Sequence, residues 1–141
     1  MDIRALTPTY AVSPQIDPAD LPAIKAAGFT TVINNRPDGE IPHNLQATRM
    51  QRAAEALGLT FVNNPLIPGS FTPENIALQS GTLAAAQGPV LAYCASGNRC
   101  SVVWALMNAG QMPLDDLIAI PARFGYRLDH LRPQLEARAV K

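Results

Sequence analysis

Cys94 and Arg99 are the residues best equipped for chemistry, and both lie in one stretch, Val90 to Leu106, VLAYCASGNRCSVVWAL. Apolar residues suited to a buried strand lead into Cys94; Ala95, Ser96, Gly97 and Asn98 form a small-residue turn; Arg99 opens an apolar helical pattern. A free thiol has a pKa near ~8.5, and only the thiolate attacks well at neutral pH. Three features favour the anion here: loop amides from Ala95 to Arg99 that can point inward, the positive end of the following helix dipole, and the Arg99 guanidinium. The same groups would bind an oxyanion. A buried apolar cysteine is the ordinary alternative at the end of a central strand. Against it stand the uncovered small-residue backbone and an arginine that is costly to bury without an anionic partner. On a helix begun at Arg99, Cys100 would stand roughly 9 Å of rise away from Cys94 and face elsewhere, which leaves a resolving-thiol role open but strained.

A thiolate site of this kind needs a sheet edge, and the rest of the chain supplies one. Thr9 to Ile16 reads as a short edge strand interrupted by Pro14. Asp17-Pro18-Ala19-Asp20 is a helix start, with Leu21, Ile24 and Ala27 as the inward face and Gly28 as terminator. Phe29 to Asn35, FTTVINN, is a buried strand with an unusual polar tail, followed by the charged turn Arg36-Pro37-Asp38-Gly39-Glu40. A second helix spans Gln46 to Leu57, closed by Gly58, and Leu59 to Leu66 is the next strand. Its entry, EALGLTFVNN, echoes AAGFTTVINN, as successive helix-to-strand units would. Thr72 caps a helix over Glu74 to Gln87, and the strand Val90 to Tyr93 runs into the Cys94 loop and a helix ending near Asn108 and Gly110. A short helix over Leu114 to Ile120, a break at Pro121 and a last helix over Leu131 to Ala139 complete the chain, with Leu117, Ile120, Phe124, Leu128, Leu131 and Leu135 as core contacts. This alternation predicts an α/β fold: a central, mostly parallel sheet flanked by helices. Reactive loops then belong at the strands' C-terminal edge, where Asn34 to Asp38, Asn63 to Pro68 and Cys94 to Arg99 all fall.

The 141 residues fit one domain, residues 1–141, with one core. Hydrophobic residues make up 48% and charged residues 16%, as in a compact globular protein, and the formal net charge is zero. Nucleic acid and membrane are therefore not expected partners; a small anionic substrate, with an acceptor thiol or protein, fits better. The N-terminus carries no basic segment followed by an apolar run, and a cytoplasmic protein is expected. The two cysteines are too few for a secreted disulfide framework, and only His43 and His130 could join them at a metal. No metal or other cofactor is expected.

The segments Gly28 to Glu40 (GFTTVINNRPDGE) and Pro65 to Glu74, with the Cys94-x-Ser-Gly-x-Arg99 loop, make nearly the whole chain similar to the phosphatase-like domain family of β-lactamase hydrolase-like proteins. The resemblance implies the dual-specificity protein tyrosine phosphatase fold. Some members fused to a persulfide dioxygenase are regarded as rhodanese-like sulfurtransferases, so fold and reaction are separate questions. Tyrosine phosphatases place one more residue between nucleophile and arginine than the four found here. The shorter cradle is similar to a rhodanese loop and suits a terminal persulfide. The stretch matching the phosphatase acid loop, Pro65 to Phe71, has no carboxylate, which leaves Asp38, with Glu40 behind it, as substitute. Tyr93 stands where a histidine often precedes the cysteine, Ala95 where an arginine is frequent, and Cys100 where a serine or threonine hydroxyl steadies the thiolate, with Ser101 next door.

The first expectation is accordingly a sulfurtransferase carrying a persulfide on Cys94. Ala95, Ser96, Gly97, Asn98 and Ser101 line its anion loop, Arg99 binds the donor, and Arg36 and Asp38 orient Arg99 or the substrate. The alternative is a phosphatase working through a cysteinyl-phosphate with Asp38 as acid. A third reading is an anion- or protein-binding module that has lost turnover.

Overall fold

The computed structural model describes residues 1–140. Five strands form one sheet: β1 (Arg4–Thr7), β2 (Tyr10–Ser13), β3 (Thr31–Asn34), β4 (Thr60–Asn63) and β5 (Val90–Tyr93), in the order β1-β2-β5-β3-β4. β1 pairs antiparallel with β2, and every other pairing is parallel. The helices are α1 (Leu21–Ala26), α2 (Ala47–Ala56), α3 (Pro73–Ala85), α4 (Asn98–Asn108), α5 (Leu114–Ala122) and α6 (Arg132–Ala139).

The expected α/β architecture is present, and β5 lies at its centre. Every residue of β2, β3 and β5 is buried, as a parallel sheet covered on both faces requires. Alternate residues feed two apolar layers. Ala11, Val32 and Leu91 pack with Leu21, Ile24, Met50 and Ala54 of α1 and α2. Val12, Ile33 and Ala92 pack on the opposite face with Cys94, Trp104, Leu117 and Leu135.

Several local expectations need correction. The strand read as an edge is interior, because β1 folds back over a Thr7-Pro8-Thr9 turn and covers it. Four residues of mixed polarity gave β1 no readable period. Asp17 caps the first helix turn in a capping box with Asp20, but Ala27 faces solvent because α1 ends one residue earlier. Pro121 does not break the helix; it lies inside the last turn of α5. Phe124, expected in the core, is exposed, and Ile118 and Tyr126 are buried in that region.

Candidate active site

The parallel register aligns Tyr93 with Asn34 on one side and Ser13 on the other, so Cys94 begins the loop at the C-terminal edge of the central strand. The loop is short because Gly97 turns the chain sharply at φ +95° and caps α4. A side chain could not replace it, since a Cβ there would lie 2.2 Å from the Tyr126 hydroxyl oxygen.

Cys94 is 1% exposed, and its sulfur accepts the Gly97 N–H at 3.1 Å. Its pKa is lowered to about 5, foremost by the Cys100 thiol, then by the Cys100, Ser96 and Gly97 amides, which together outweigh the opposing effect of burial. Cys100 therefore does not face elsewhere. A rise-per-residue count assumed a straight helix, whereas the Gly97 turn brings the first turn of α4 back over Cys94. Where a steadying hydroxyl is usual in the family, the Cys100 thiol favours the Cys94 anion instead. Burial and the neighbouring Cys94 push its pKa well up, keeping it the protonated partner. Both cysteines are free.

Arg99 is 9% exposed and holds three acceptors: Glu40 Oε2 at 2.8 Å and the Leu66 carbonyl at 2.9 Å through Nη1, and Glu40 Oε1 at 2.8 Å through Nη2. Glu40, not Asp38, is its carboxylate partner. Arg99, and then Arg36, hold the Glu40 pKa below the usual range. Arg36 Nε reaches Glu40 at 3.2 Å, so Arg36 orients Arg99 through Glu40. Asp38 is exposed, and its Oδ1 accepts the Ala47 N–H at 2.8 Å, at the first residue of α2. Ser101, expected to line the loop, is buried and donates to the Gly97 carbonyl at 2.9 Å, the back-bond of a helical serine to residue i−4. Ala95, Ser96 and Asn98 form the exposed rim.

The polar strand tails make a network that sequence reasoning noticed without assigning. Asn35 and Asn64 both donate to Gln79 Oε1 at 2.9 Å, Gln79 donates to the Tyr10 hydroxyl at 3.1 Å, and Tyr10 donates to the Cys100 carbonyl at 2.8 Å. It ties the ends of β3 and β4, and α3, to the first turn of α4. Nothing in the local sequence singles out Gln79 or Tyr10 as members. Beside the loop, a groove of about 340 Å³ is bordered by Asn98 and Arg99 and lined by Phe71, Val102, His130 and Leu131. A larger cavity of about 720 Å³, against β4 and α3, has none of these loop residues in its wall.

Residues 2–111 match the family model of the β-lactamase hydrolase-like protein, phosphatase-like domain. The chain belongs to that family. The β-lactamase hydrolase-like protein of Agrobacterium fabrum is 34% identical over 122 residues, which cover 85% of this chain but only 28% of that protein's length. A crystal structure of a putative phosphatase from Neisseria meningitidis superimposes with TM-score 0.85 and 31% identity, covering 98% of this chain and 99% of that one. The fold alone is shared with P. aeruginosa TpbA, solved in complex with pTyr (TM-score 0.66, 15% identity, 96% of this chain and 80% of that chain covered). Family and fold support the phosphatase-like hydrolase alternative; they give no support to sulfur transfer, the first expectation. Among the described residues no helix is long and apolar enough to cross a membrane.

Proposed function

We propose that the domain is a phosphomonoesterase working through a cysteinyl-phosphate on Cys94. The observation that carries the reading is a buried sulfur at the start of the loop, its pKa lowered to about 5, that accepts the Gly97 N–H at 3.1 Å, with Arg99 in the same loop. At neutral pH that group is a thiolate, the state a phosphoryl acceptor needs.

Arg99 has five N–H groups, and three are engaged by Glu40 and Leu66. The pair left over, Nε–H and one Nη2 N–H, forms a side-on fork that matches two oxygens of a phosphate. In the first step the Cys94 sulfur bonds to phosphorus as the ester oxygen leaves with its electron pair. In the second, water attacks phosphorus, releasing phosphate and restoring the thiolate. The amides of Ala95 to Arg99 and the Arg99 fork hold the equatorial oxygens throughout. Asp38, on the same sheet edge, is the proposed proton donor to the leaving oxygen, since its Oδ1 is engaged with Ala47 and the carboxyl keeps a second oxygen. The groove lined by Phe71, Val102 and Leu131 suits an apolar or aromatic leaving group, and the pTyr bound by the TpbA relative is of that class.

Hydrolysis of an aryl phosphate by the intact chain, lost in Cys94→Ser, is the expected result. Trapping the phosphorylated enzyme by acid quench and intact mass identifies the intermediate. A sulfur-mass gain on Cys94 from thiosulfate in a protein that hydrolyses no phosphomonoester would overturn the proposal.

A further inference from the structure

The Ser96 carbonyl and the Gly97 N–H belong to one planar trans peptide and point in opposite directions. The inner end, Gly97 N–H, bonds the Cys94 sulfur at 3.1 Å. The outer end, the Ser96 carbonyl, accepts the Tyr126 hydroxyl at 2.7 Å. That hydroxyl in turn accepts Arg4 Nη1 at 2.6 Å, and the Arg4 guanidinium sits 5.4 Å from the centroid of the tyrosine ring. Tyr126 is 6% exposed, follows Gly125 in the turn after α5, and is anchored by its own N–H to the Pro121 carbonyl at 3.2 Å. It reaches a loop 30 residues earlier in sequence, and Arg4 reaches it across 122.

We infer that Tyr126, held by Arg4, is a positioning residue that locks the Ser96–Gly97 peptide so that its N–H stays aimed at the Cys94 sulfur. The need for a lock follows from Gly97. Glycine accepts either sign of φ at little cost, so an unheld peptide can rotate and present a carbonyl oxygen to the thiolate instead of an N–H. Donation from Tyr126 at the outer end also polarises the peptide, which strengthens the N–H at the inner end, and the Arg4 cation makes Tyr126 the better donor. The 2.2 Å approach of a Gly97 Cβ to the tyrosine oxygen shows how closely the two are fitted. The inference rests on the phosphatase reading only for its effect on turnover; the effect on the thiolate is independent of it.

The test is the acid dissociation of Cys94, followed by ultraviolet thiolate absorbance and by iodoacetamide alkylation rate against pH, in the full chain. Tyr126→Phe removes only the hydroxyl and is expected to make Cys94 on the order of tenfold less acidic and to slow kcat on an aryl phosphate by about tenfold. Arg4→Met should give a smaller change in the same direction, about threefold, and Arg4→Lys, which keeps the cation, should recover most of it. If Tyr126→Phe does not fold, Arg4→Met at the partly exposed β1 carries the test. An unchanged Cys94 titration in the folded variants overturns the inference, even if turnover falls. A shifted titration in a protein that hydrolyses no phosphomonoester leaves the lock standing and removes the phosphatase reading.

Discussion

At the scale of single residues, the acidity of Cys94 depends on a neighbour of the same type. Cys100 lowers the Cys94 pKa more than any single backbone amide does, and burial opposes them. The acid limb of turnover should therefore fall near pH 5, where the thiolate protonates, rather than near the ~8.5 of a free thiol. Cys100→Ala removes the donor and should move that limb to higher pH, while Cys100→Ser, which keeps an O–H, should leave it close to wild type; a limb that stays put in the alanine variant would mean the amides suffice. Arg99 presents the second residue-scale question, since Glu40 holds both of its terminal nitrogens at 2.8 Å. Glu40→Gln keeps the shape but loses the bidentate charge-assisted pair, so the guanidinium fork is less well held. KM for an aryl phosphate should rise by about three- to tenfold. Steady-state kinetics decides it, and an unaltered KM would show that the Leu66 carbonyl alone orients Arg99.

At the scale of elements, Asp38 stands where two roles meet. Its Oδ1 accepts the first amide of α2, as an N-cap side chain does, although the residue lies nine positions before Ala47. Asp38→Asn retains that acceptor and should leave stability within about 0.5 kcal/mol of wild type, whereas Asp38→Ala should lose about 1 kcal/mol. Both should slow hydrolysis of an alkyl phosphate more than that of an aryl phosphate, because the poorer leaving group needs the proton more. If the asparagine variant hydrolyses the alkyl ester at the full rate, Asp38 is a cap and nothing more. The elements were legible wherever a local rule governed them. Asp17 and Thr72 announced helix starts, Gly28 and Gly58 announced ends, and the run Val90 to Tyr93 matched its strand residue for residue. What could not be read was tertiary. β1 has four residues and owes its place to pairing with β2; distance along the chain does not say that Glu40 rather than Asp38 meets Arg99; and Tyr126 reaches the loop, and Arg4 reaches Tyr126, only after the chain has folded.

For the whole molecule, the site is a charge stored at the boundary of the core, so folding and thiolate formation are linked. Cys94 lies in the same apolar layer as Trp104, Leu117 and Leu135, and Cys100 beside it is fully buried. Unfolding returns Cys94 to an ordinary thiol, which binds a proton up to a pH near ~8.5 to 9, whereas the native group has released its proton above about pH 5. Between those limits the unfolded chain holds one more proton than the native chain. Stability contributed by the depressed pKa is therefore complete above the unfolded thiol's pKa and is lost as pH falls toward 5. The slope is at most about 1.4 kcal/mol per pH unit, the value for one proton. Urea denaturation of wild type and Cys94→Ala at several pH values from 5.5 to 8.5 isolates this contribution, because other titrating groups cancel in the difference. The wild type should gain on the variant steadily as pH rises, with Trp104 fluorescence and secondary structure lost together. A difference independent of pH would mean that Cys94 is protonated in the native protein, and would remove the thiolate on which the proposed chemistry depends.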